Sequence, residues 1–168
     1  HDDHASGAQR LRQMTGAPVR AFDPSYCNGA EALQKGEILT LEGITPQLEV
    51  LHTPGHTADS TSFFVWSGEA DNSRLEGIAT GDTIAGRHTV LLSETDGDLA
   101  DYLRTLDVLE SRGKDVPLFP GHGPDLEDTS QVARKYIDRR HYRLDQIKEI
   151  RSRLGEDVDL NTLVNEMY

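Results

Sequence analysis

The sequence has almost no cysteine and no long apolar run, and each shortage excludes a class of protein. Its single cysteine, Cys27, excludes a disulfide framework and a cysteine-rich zinc knuckle. The longest apolar stretches are only a few residues, which excludes a membrane-spanning helix and predicts no membrane partner. One unpaired cysteine fits a reducing compartment, so we predict a cytoplasmic location.

The chain also lacks a positive charge balance. It has 168 residues, with 17 Lys and Arg against 29 Asp and Glu, and a formal net charge of −12. This balance argues against a surface that coats nucleic acid, so no DNA partner is expected. The length suits one ordinary domain. Because the chain opens on His rather than Met and shows no signal-peptide pattern, we expect it to begin inside a longer protein.

Short β-rich runs alternate with amphipathic helical stretches, which favours an α/β or layered α+β fold. The predicted strands are 19–22, 37–41, 47–51, 61–66, 77–80 and 116–119. The predicted helices are 7–14, 99–111 with Asp98 as its N-cap, 131–154, and 160–168.

The long predicted helix is basic. Residues 134–153 include eight Lys or Arg but only three Asp or Glu. One interpretation is a solvated face that pairs with the acidic remainder of the chain. The other is a rim that attracts a phosphate-bearing substrate.

Histidines and aspartates occur in four short segments, of which the last three directly follow predicted strands. The segments are HDDH at 1–4, TPGHT at 53–57, TGDT at 80–83 and PGHGP at 120–124. Glycines beside His56, Asp82 and His122 allow sharp turns that expose these side chains. Imidazole and carboxylate ligands suit Zn²⁺, with Fe or Mn also possible, and an aspartate can bridge two cations. The segments therefore predict a metal site at one end of a sheet.

In order and spacing, these segments resemble the metallo-β-lactamase-fold hydrolases. That family has a four-layer αββα sandwich and a His-x-His-x-Asp-His hallmark, followed by a lone His, a bridging Asp and a final His. The matching positions are His1, Asp3 and His4 of the hallmark, then His56, Asp82 and His122. The first hallmark His would lie two residues before His1, so the resemblance implies that the N-terminal strands of the sandwich are missing from this chain.

The resemblance implies two zinc ions in an intact site. One would be held by His1 and His56, together with the missing His. The other would be held by Asp3, His4 and His122. Asp82 and a hydroxide would bridge the ions, and the hydroxide would attack an ester, thioester or phosphodiester. The predicted catalytic residues are Asp3 and Asp82.

Within the family, the chain resembles the lactamase-beta-2-like branch. The similarity rests on the HTPGHTADS stretch at 52–60, on PGHGP and on the long helix around 139–147. It implies a metallo-β-lactamase-like domain over 1–130 and, over 131–168, the start of a winged-helix-like helical domain. The Asp at position 82 disfavours antibiotic hydrolysis, because many true β-lactamases of this fold have Cys or Ser there.

Several functions remain open within this resemblance. A glyoxalase II-type glutathione thioesterase would share every metal ligand. The same motifs also fit an endoribonuclease acting on single-stranded RNA, a mononuclear-iron persulfide dioxygenase relative, and a catalytically incomplete fragment. The sequence leaves open whether the substrate is a small molecule or RNA, and it leaves the oligomeric state open too. Among the other histidines, we predict a structural role for His52 and solvated positions for His88 and His141.

Overall fold

The computed structural model describes residues 1–68, 72–87 and 89–168, except for the side chains of Asp2 and Leu41. Its sheet contains β1 (Ile38–Leu41), β2 (Ile44–His52), β3 (Thr61–Ser67), β4 (Arg74–Gly81) and β5 (Leu118–Pro120). The helices are α1 (Asp2–Ala5), α2 (Ala8–Thr15), α3 (Leu99–Arg112), α4 (Thr129–Leu154) and α5 (Leu160–Met167), with a 3₁₀ turn at Pro24–Tyr26. In the described part of the chain, no helix is long and apolar enough to cross a bilayer.

The five strands lie in sequence order across the sheet. Strands β1 to β4 are antiparallel to their neighbours, and β5 is parallel to β4. Consequently β2, β4 and β5 all run in the same direction. Their carboxyl ends therefore meet at one edge of the sheet.

One face of the sheet packs against helices and forms the core. Phe64 pairs with Ile78, and Ile78 pairs with Leu118, so these fully buried side chains form a row across β3, β4 and β5. Helix α3 presents Tyr102 and Leu106 to the same core. The exclusion of this apolar surface from water is the main term that holds the helices on the sheet.

Helix α4 packs beside α3 and completes this layer. Ala133 and Ile137 near its amino end are buried in the same cluster as the sheet residues. The side chains of Asp98 and Asp128 cap α3 and α4 by accepting hydrogen bonds from Asp101 N and Gln131 N. The predicted boundary at residue 130 stays a prediction, as does the winged-helix-like nature of the segment after it.

The structure confirms most predicted elements and corrects two. The predicted strand at 19–22 is wrong, because Val19 forms only an isolated bridge with Asn28. The adjacent Arg20 binds the Glu37 carboxylate and the carbonyls of Glu31 and Ala32, which keeps this segment outside the sheet. The predicted strand at 116–119 begins later, at Leu118. The Val116 carbonyl instead accepts hydrogen bonds from the amide and hydroxyl of Thr129.

The remaining histidines lie outside the sheet-edge segments or beside them. His52 stacks on Phe22 with ring centroids 4.0 Å apart, and its Nε2 lies 2.8 Å from the Ala58 carbonyl oxygen, which agrees with a structural role. His141 is exposed on α4. His88 lies outside the described residues.

Candidate metal centre

The cluster of metal-type ligands lies at the edge where β2, β4 and β5 end. His56 lies four residues after β2, Asp82 directly follows β4, and His122 lies two residues after β5. The segment that includes α1 brings His1, Asp3 and His4 to the same place. Because the three strands run in one direction, their carboxyl ends bring residues that are far apart in sequence to the same edge of the sheet.

The side chains form two groups that share Asp82. In the first group, His56 Nε2 lies 3.2 Å from His1 Nδ1 and 3.9 Å from Asp82 Oδ2. In the second group, His4 Nε2 lies 3.0 Å from Asp82 Oδ2. The ligand atoms of each group all lie within 4.8 Å of one another.

The second group is completed by His122 and Asp3. His122 Nε2 lies 3.0 Å from Asp3 Oδ2 and 3.6 Å from Asp82 Oδ1. All six residues predicted from the sequence therefore lie in one cluster. Their role as metal ligands stays a prediction.

The Asp82 carboxylate provides a direct test of whether the cluster fits cations. Its Oδ1 is buried and is the one buried side-chain polar atom without a hydrogen-bond partner in the described part of the chain. A buried carboxylate oxygen without a partner is costly, and a cation at the centre of the cluster would satisfy it. The donor set of imidazole nitrogens and carboxylate oxygens, without thiolate, suits zinc, iron or manganese.

A backbone carbonyl orients His56. The Nδ1–H of His56 donates to the Leu91 carbonyl oxygen at 2.7 Å, which leaves Nε2 with its lone pair facing the cluster. The amide of Ser93 donates back to the His56 carbonyl at 2.8 Å. The sequence carries no signal for the Leu91 contact, because any residue type supplies the same carbonyl.

The His56 loop is pressed closely against helix α3. Gly55 has φ +133°, and a Cβ placed on it would lie 2.3 Å from the Tyr102 Cα. The Gly55 carbonyl accepts from Asp98 N at 3.0 Å, and Thr105 Oγ1 donates to the Pro54 carbonyl at 2.8 Å. A glycine at position 55 is therefore a packing requirement as well as a conformational one.

Asp82 and its loop are held from two sides. The Tyr102 hydroxyl, whose pKa is raised by burial, donates to the Thr83 carbonyl at 2.7 Å. On the other side, a Cβ at Gly121 would lie 2.6 Å from Asp82 Oδ1 and 2.9 Å from His4 Cε1. The glycine that precedes His122 thus leaves the space in which two candidate ligands lie.

Exposure differs between the ligands. The side chains of His56 and Asp82 are 11% and 19% exposed, whereas those of Asp3 and His122 are 54% and 57% exposed. Partial desolvation raises the pKa of Asp3, but the hydrogen bond with His122 and the charges of His4 and His122 outweigh it, so the net shift is downward. The cluster has a buried wall and an open side, and the open side is accessible to a substrate.

Comparisons with known proteins find curated relatives along most of the chain. No family model matches the chain. An atrochrysone carboxyl ACP thioesterase from Aspergillus fumigatus is 30% identical over 152 residues, which is 88% of this chain and 43% of the relative. A beta-lactamase-like protein 2 homolog from Caenorhabditis elegans is 25% identical over 175 residues, covering all of this chain and 54% of the relative. A hydroxyacylglutathione hydrolase from Hahella chejuensis is 29% identical over 172 residues, covering 96% of this chain and 63% of the relative.

Solved structures agree on the fold. A metallo-β-lactamase family protein from Thermus thermophilus superposes with a TM-score of 0.58 at 24% identity, over 86% of this chain and 48% of that protein. The chain has the metallo-β-lactamase fold. Another solved structure, in a di-iron-bound form, superposes with a TM-score of 0.57 at 19% identity over 76% of this chain and 68% of that protein. The chain spans about half the length of the first curated relatives it matches.

The described part of this chain has one five-stranded sheet, with helices packed on one of its faces. The superpositions confirm the expected metallo-β-lactamase fold class, and the four-layer sandwich stays a prediction. One of the structures that superpose is di-iron-bound, and the two donor groups of this chain could hold metal. The curated relatives include a thioesterase and a hydroxyacylglutathione hydrolase, both of which are hydrolases.

Several basic residues of α4 have partners within the chain. Ion pairs join Arg134 to Glu110, Lys148 to Asp145 and Arg153 to Glu166. Arg140 donates to the Val90 carbonyl at 2.5 Å, and the Arg143 guanidinium lies over the Tyr168 ring. These five basic residues therefore have partners within the chain, and which interpretation of the basic helix holds stays open.

Proposed function

We propose that this chain carries the binuclear metal centre of a thioester hydrolase. The observation that carries the proposal is the sharing of Asp82 between two donor groups, with its buried Oδ1 lacking a hydrogen-bond partner in the described residues. Such an arrangement is typical of a carboxylate that bridges two cations. A merely structural aspartate at this depth would have its oxygens satisfied by protein donors.

The candidate ligands divide between the two positions. His1 and His56 would hold one ion, the set Asp3, His4 and His122 would hold the other, and Asp82 would contact both. When bound, a pair of divalent cations supplies Lewis acidity that polarises a carbonyl oxygen and makes water acidic enough to be a nucleophile near neutral pH.

The protein groups have separate tasks in this reaction. The Leu91 carbonyl holds His56 in one tautomer, so its Nε2 is oriented before any substrate arrives. The Asp3 carboxylate lies on the open side of the cluster, and we assign it to accept the proton of the attacking water. Attack of water on the acyl carbon then forms the carboxylic acid and breaks the carbon–sulfur bond, and the sulfur leaves as the thiol.

Two observations favour a thioester over a phosphodiester. The relatives described above include an ACP thioesterase and a hydroxyacylglutathione hydrolase, and both names denote cleavage of an acyl–sulfur bond. In addition, the net charge of −12 opposes the approach of a polyanionic strand, and Arg134, Lys148 and Arg153 of the basic helix are already ion-paired.

The test is a parallel assay of the chain on S-acyl thioesters and on single-stranded RNA, with zinc, iron or manganese supplied and the bound metal quantified by mass spectrometry. Two metal equivalents and thioester turnover are expected. Asp82→Asn is expected to reduce turnover by about 10²-fold or more, the scale seen when one group that stabilises a transition state is removed. His141→Gln, which alters an exposed histidine of α4, is the matched control and is expected to leave turnover unchanged.

Three outcomes would contradict the proposal. Turnover that survives both chelation and Asp82→Asn would place the chemistry elsewhere. Cleavage of RNA without thioester hydrolysis would favour an endoribonuclease. Binding of at most one metal equivalent without any turnover would favour the catalytically incomplete fragment.

A further inference from the structure

A cavity of about 530 Å³ lies between helix α4 and the loop that follows Asp82. We propose that this basic groove binds the anionic end of the thiol portion of the substrate, an inference that rests on the proposed thioester hydrolysis. The groove is lined by three cations, two tyrosines and one carboxylate: Arg87, Lys135, Arg139, Tyr136, Tyr142 and Asp138.

The groove adjoins the loop that presents His122. The amide of Gly86 donates to the His122 carbonyl at 2.8 Å, immediately before Arg87. A Cβ at Gly123 would lie 2.9 Å from the Gly86 Cα and 3.1 Å from the Arg87 amide nitrogen, so the two loops are in direct contact. A substrate that extends from the metal centre past His122 would therefore reach Arg87.

Helix α4 forms the opposite wall of the groove. The Tyr136 hydroxyl donates to the Ala85 carbonyl at 2.8 Å and also accepts from the Ala85 amide at 3.3 Å. This double contact holds the helix against the loop and sets the spacing between Lys135, Arg139 and Arg87. The site is thus built from two elements that are fixed to each other.

The cations of the groove differ from the other basic residues of α4. Arg134, Lys148 and Arg153 each form an ion pair within the chain. By contrast, Arg87, Lys135 and Arg139 have no ion pair or side-chain hydrogen bond in the described part of the chain, and Asp138 is the acidic residue among the described lining residues. Three unpaired cations that converge from two elements repel one another until an anion binds.

The chemistry and size of the groove define the ligand class. Guanidinium groups bind carboxylates and phosphates through paired hydrogen bonds, and the Tyr142 hydroxyl can add a further donor. A volume of about 530 Å³ suits part of a small molecule rather than a nucleic-acid strand. The expected ligand is therefore a thiol that carries a carboxylate or a phosphate ester away from its sulfur.

Binding can be tested without catalysis and without metal. The chain is labelled with ¹⁵N, treated with a chelator and titrated with the S-methyl derivatives of coenzyme A, glutathione and N-acetylcysteamine, which carry phosphates, carboxylates and no anion, respectively. The methyl groups keep the thiols from acting as ligands themselves. Saturable changes in NMR chemical shift are expected for the backbone amides of 85–87 and 135–142 with at least one anionic probe. The anionic probe that binds more tightly identifies phosphate or carboxylate as the preferred anion.

A charge-matched pair of variants makes the test specific. The double variant Lys135→Gln, Arg139→Gln is expected to weaken binding of the anionic probe by about 10-fold or more, because it removes two charged donors that would bind the anion. Lys35→Gln, Lys114→Gln removes the same charge from exposed positions outside the groove and is expected to change affinity less than about 2-fold.

Equal binding of the neutral probe, or an unchanged affinity in the groove double variant, would overturn the inference. So would an RNA oligonucleotide that shifts the same amides at lower concentration than either anionic probe. Loss of hydrolysis with retained anion binding would contradict only the proposed function. Hydrolysis that shows the same KM for neutral and anionic thioesters would contradict only the groove.

Discussion

Replacement of Gly55 by Ala tests whether the fit between the His56 loop and helix α3 determines the metal site. The added Cβ would lie 2.3 Å from the Tyr102 Cα and 2.5 Å from its backbone nitrogen, and neither backbone atom can move without shifting the helix. The positive φ of +133° adds conformational strain of about 1–3 kcal/mol. Overpacking costs about another 1–3 kcal/mol, so the total expected loss is about 2–6 kcal/mol.

Gly43→Ala is the matched control. Gly43 has φ +77°, but a Cβ there would meet nothing within 4 Å, so this variant carries conformational strain without a clash. Its expected cost is about 1–2 kcal/mol. Urea unfolding of both variants, with metal content measured in parallel, separates the two contributions. We expect Gly55→Ala to lose more stability and to bind less metal, because His56 moves with the loop.

The reasoning would be refuted if Gly55→Ala were no less stable than Gly43→Ala and bound the same amount of metal. In that case the loop must be able to relax away from α3 without moving His56. Such relaxation would contradict the close packing of Gly55 against Tyr102 as the origin of the ligand position.

Three further predictions concern the framework and the metal. Tyr102→Phe removes the hydrogen bond to Thr83 and leaves a buried carbonyl unpaired, so we expect a loss of about 1–3 kcal/mol in urea unfolding. The bidentate Arg112 contact lowers the pKa of Glu49, so its stabilisation is present above the unfolded pKa near 4.5 and is lost as pH falls through the lower folded value. Glu49→Gln is therefore expected to cost about 1–2 kcal/mol at pH 7 and less at pH 3, measured by urea unfolding at both pH values. Zinc at 100 times its Kd is expected to stabilise the chain by about 2.7 kcal/mol, and a melting temperature unchanged by zinc would contradict binding to the folded state.

Three candidate ligands, His56, Asp82 and His122, could be predicted from local pattern because each lies beside glycine in its loop. By contrast, His1, Asp3 and His4 were assigned by resemblance to the family hallmark. TPGHT, TGDT and PGHGP each follow a β-rich run, and that pattern also predicts which edge of a sheet they share. The amphipathic spacing of α3 and its Asp98 cap are local signals as well, since both depend on residues within a few positions.

Local sequence patterns did not predict the structure where contacts with backbone groups or with side chains distant in sequence determine it. The apolar run at 19–22 has the composition of a strand, but Arg20 binds Glu37 and two carbonyls and holds this segment out of the sheet. The basic character of α4 could be predicted from its composition. The sequence did not predict which of its basic residues form ion pairs, or with which carboxylates. Only the tertiary structure separates the paired Arg134 from Lys135 beside it, which has no ion pair in the described part of the chain.

The sequence by itself determined the chemistry of the centre: imidazoles and carboxylates in glycine-flanked loops after strands, without thiolate. Only the tertiary structure decided that Asp82 is shared by two groups, that Leu91 orients His56, and that Arg87 meets helix α4. The physical reason is that residue type specifies which bonds a side chain can make. Distances between residues that lie 35 to 119 positions apart instead follow from strand direction and from the packing of α3 and α4 on the sheet.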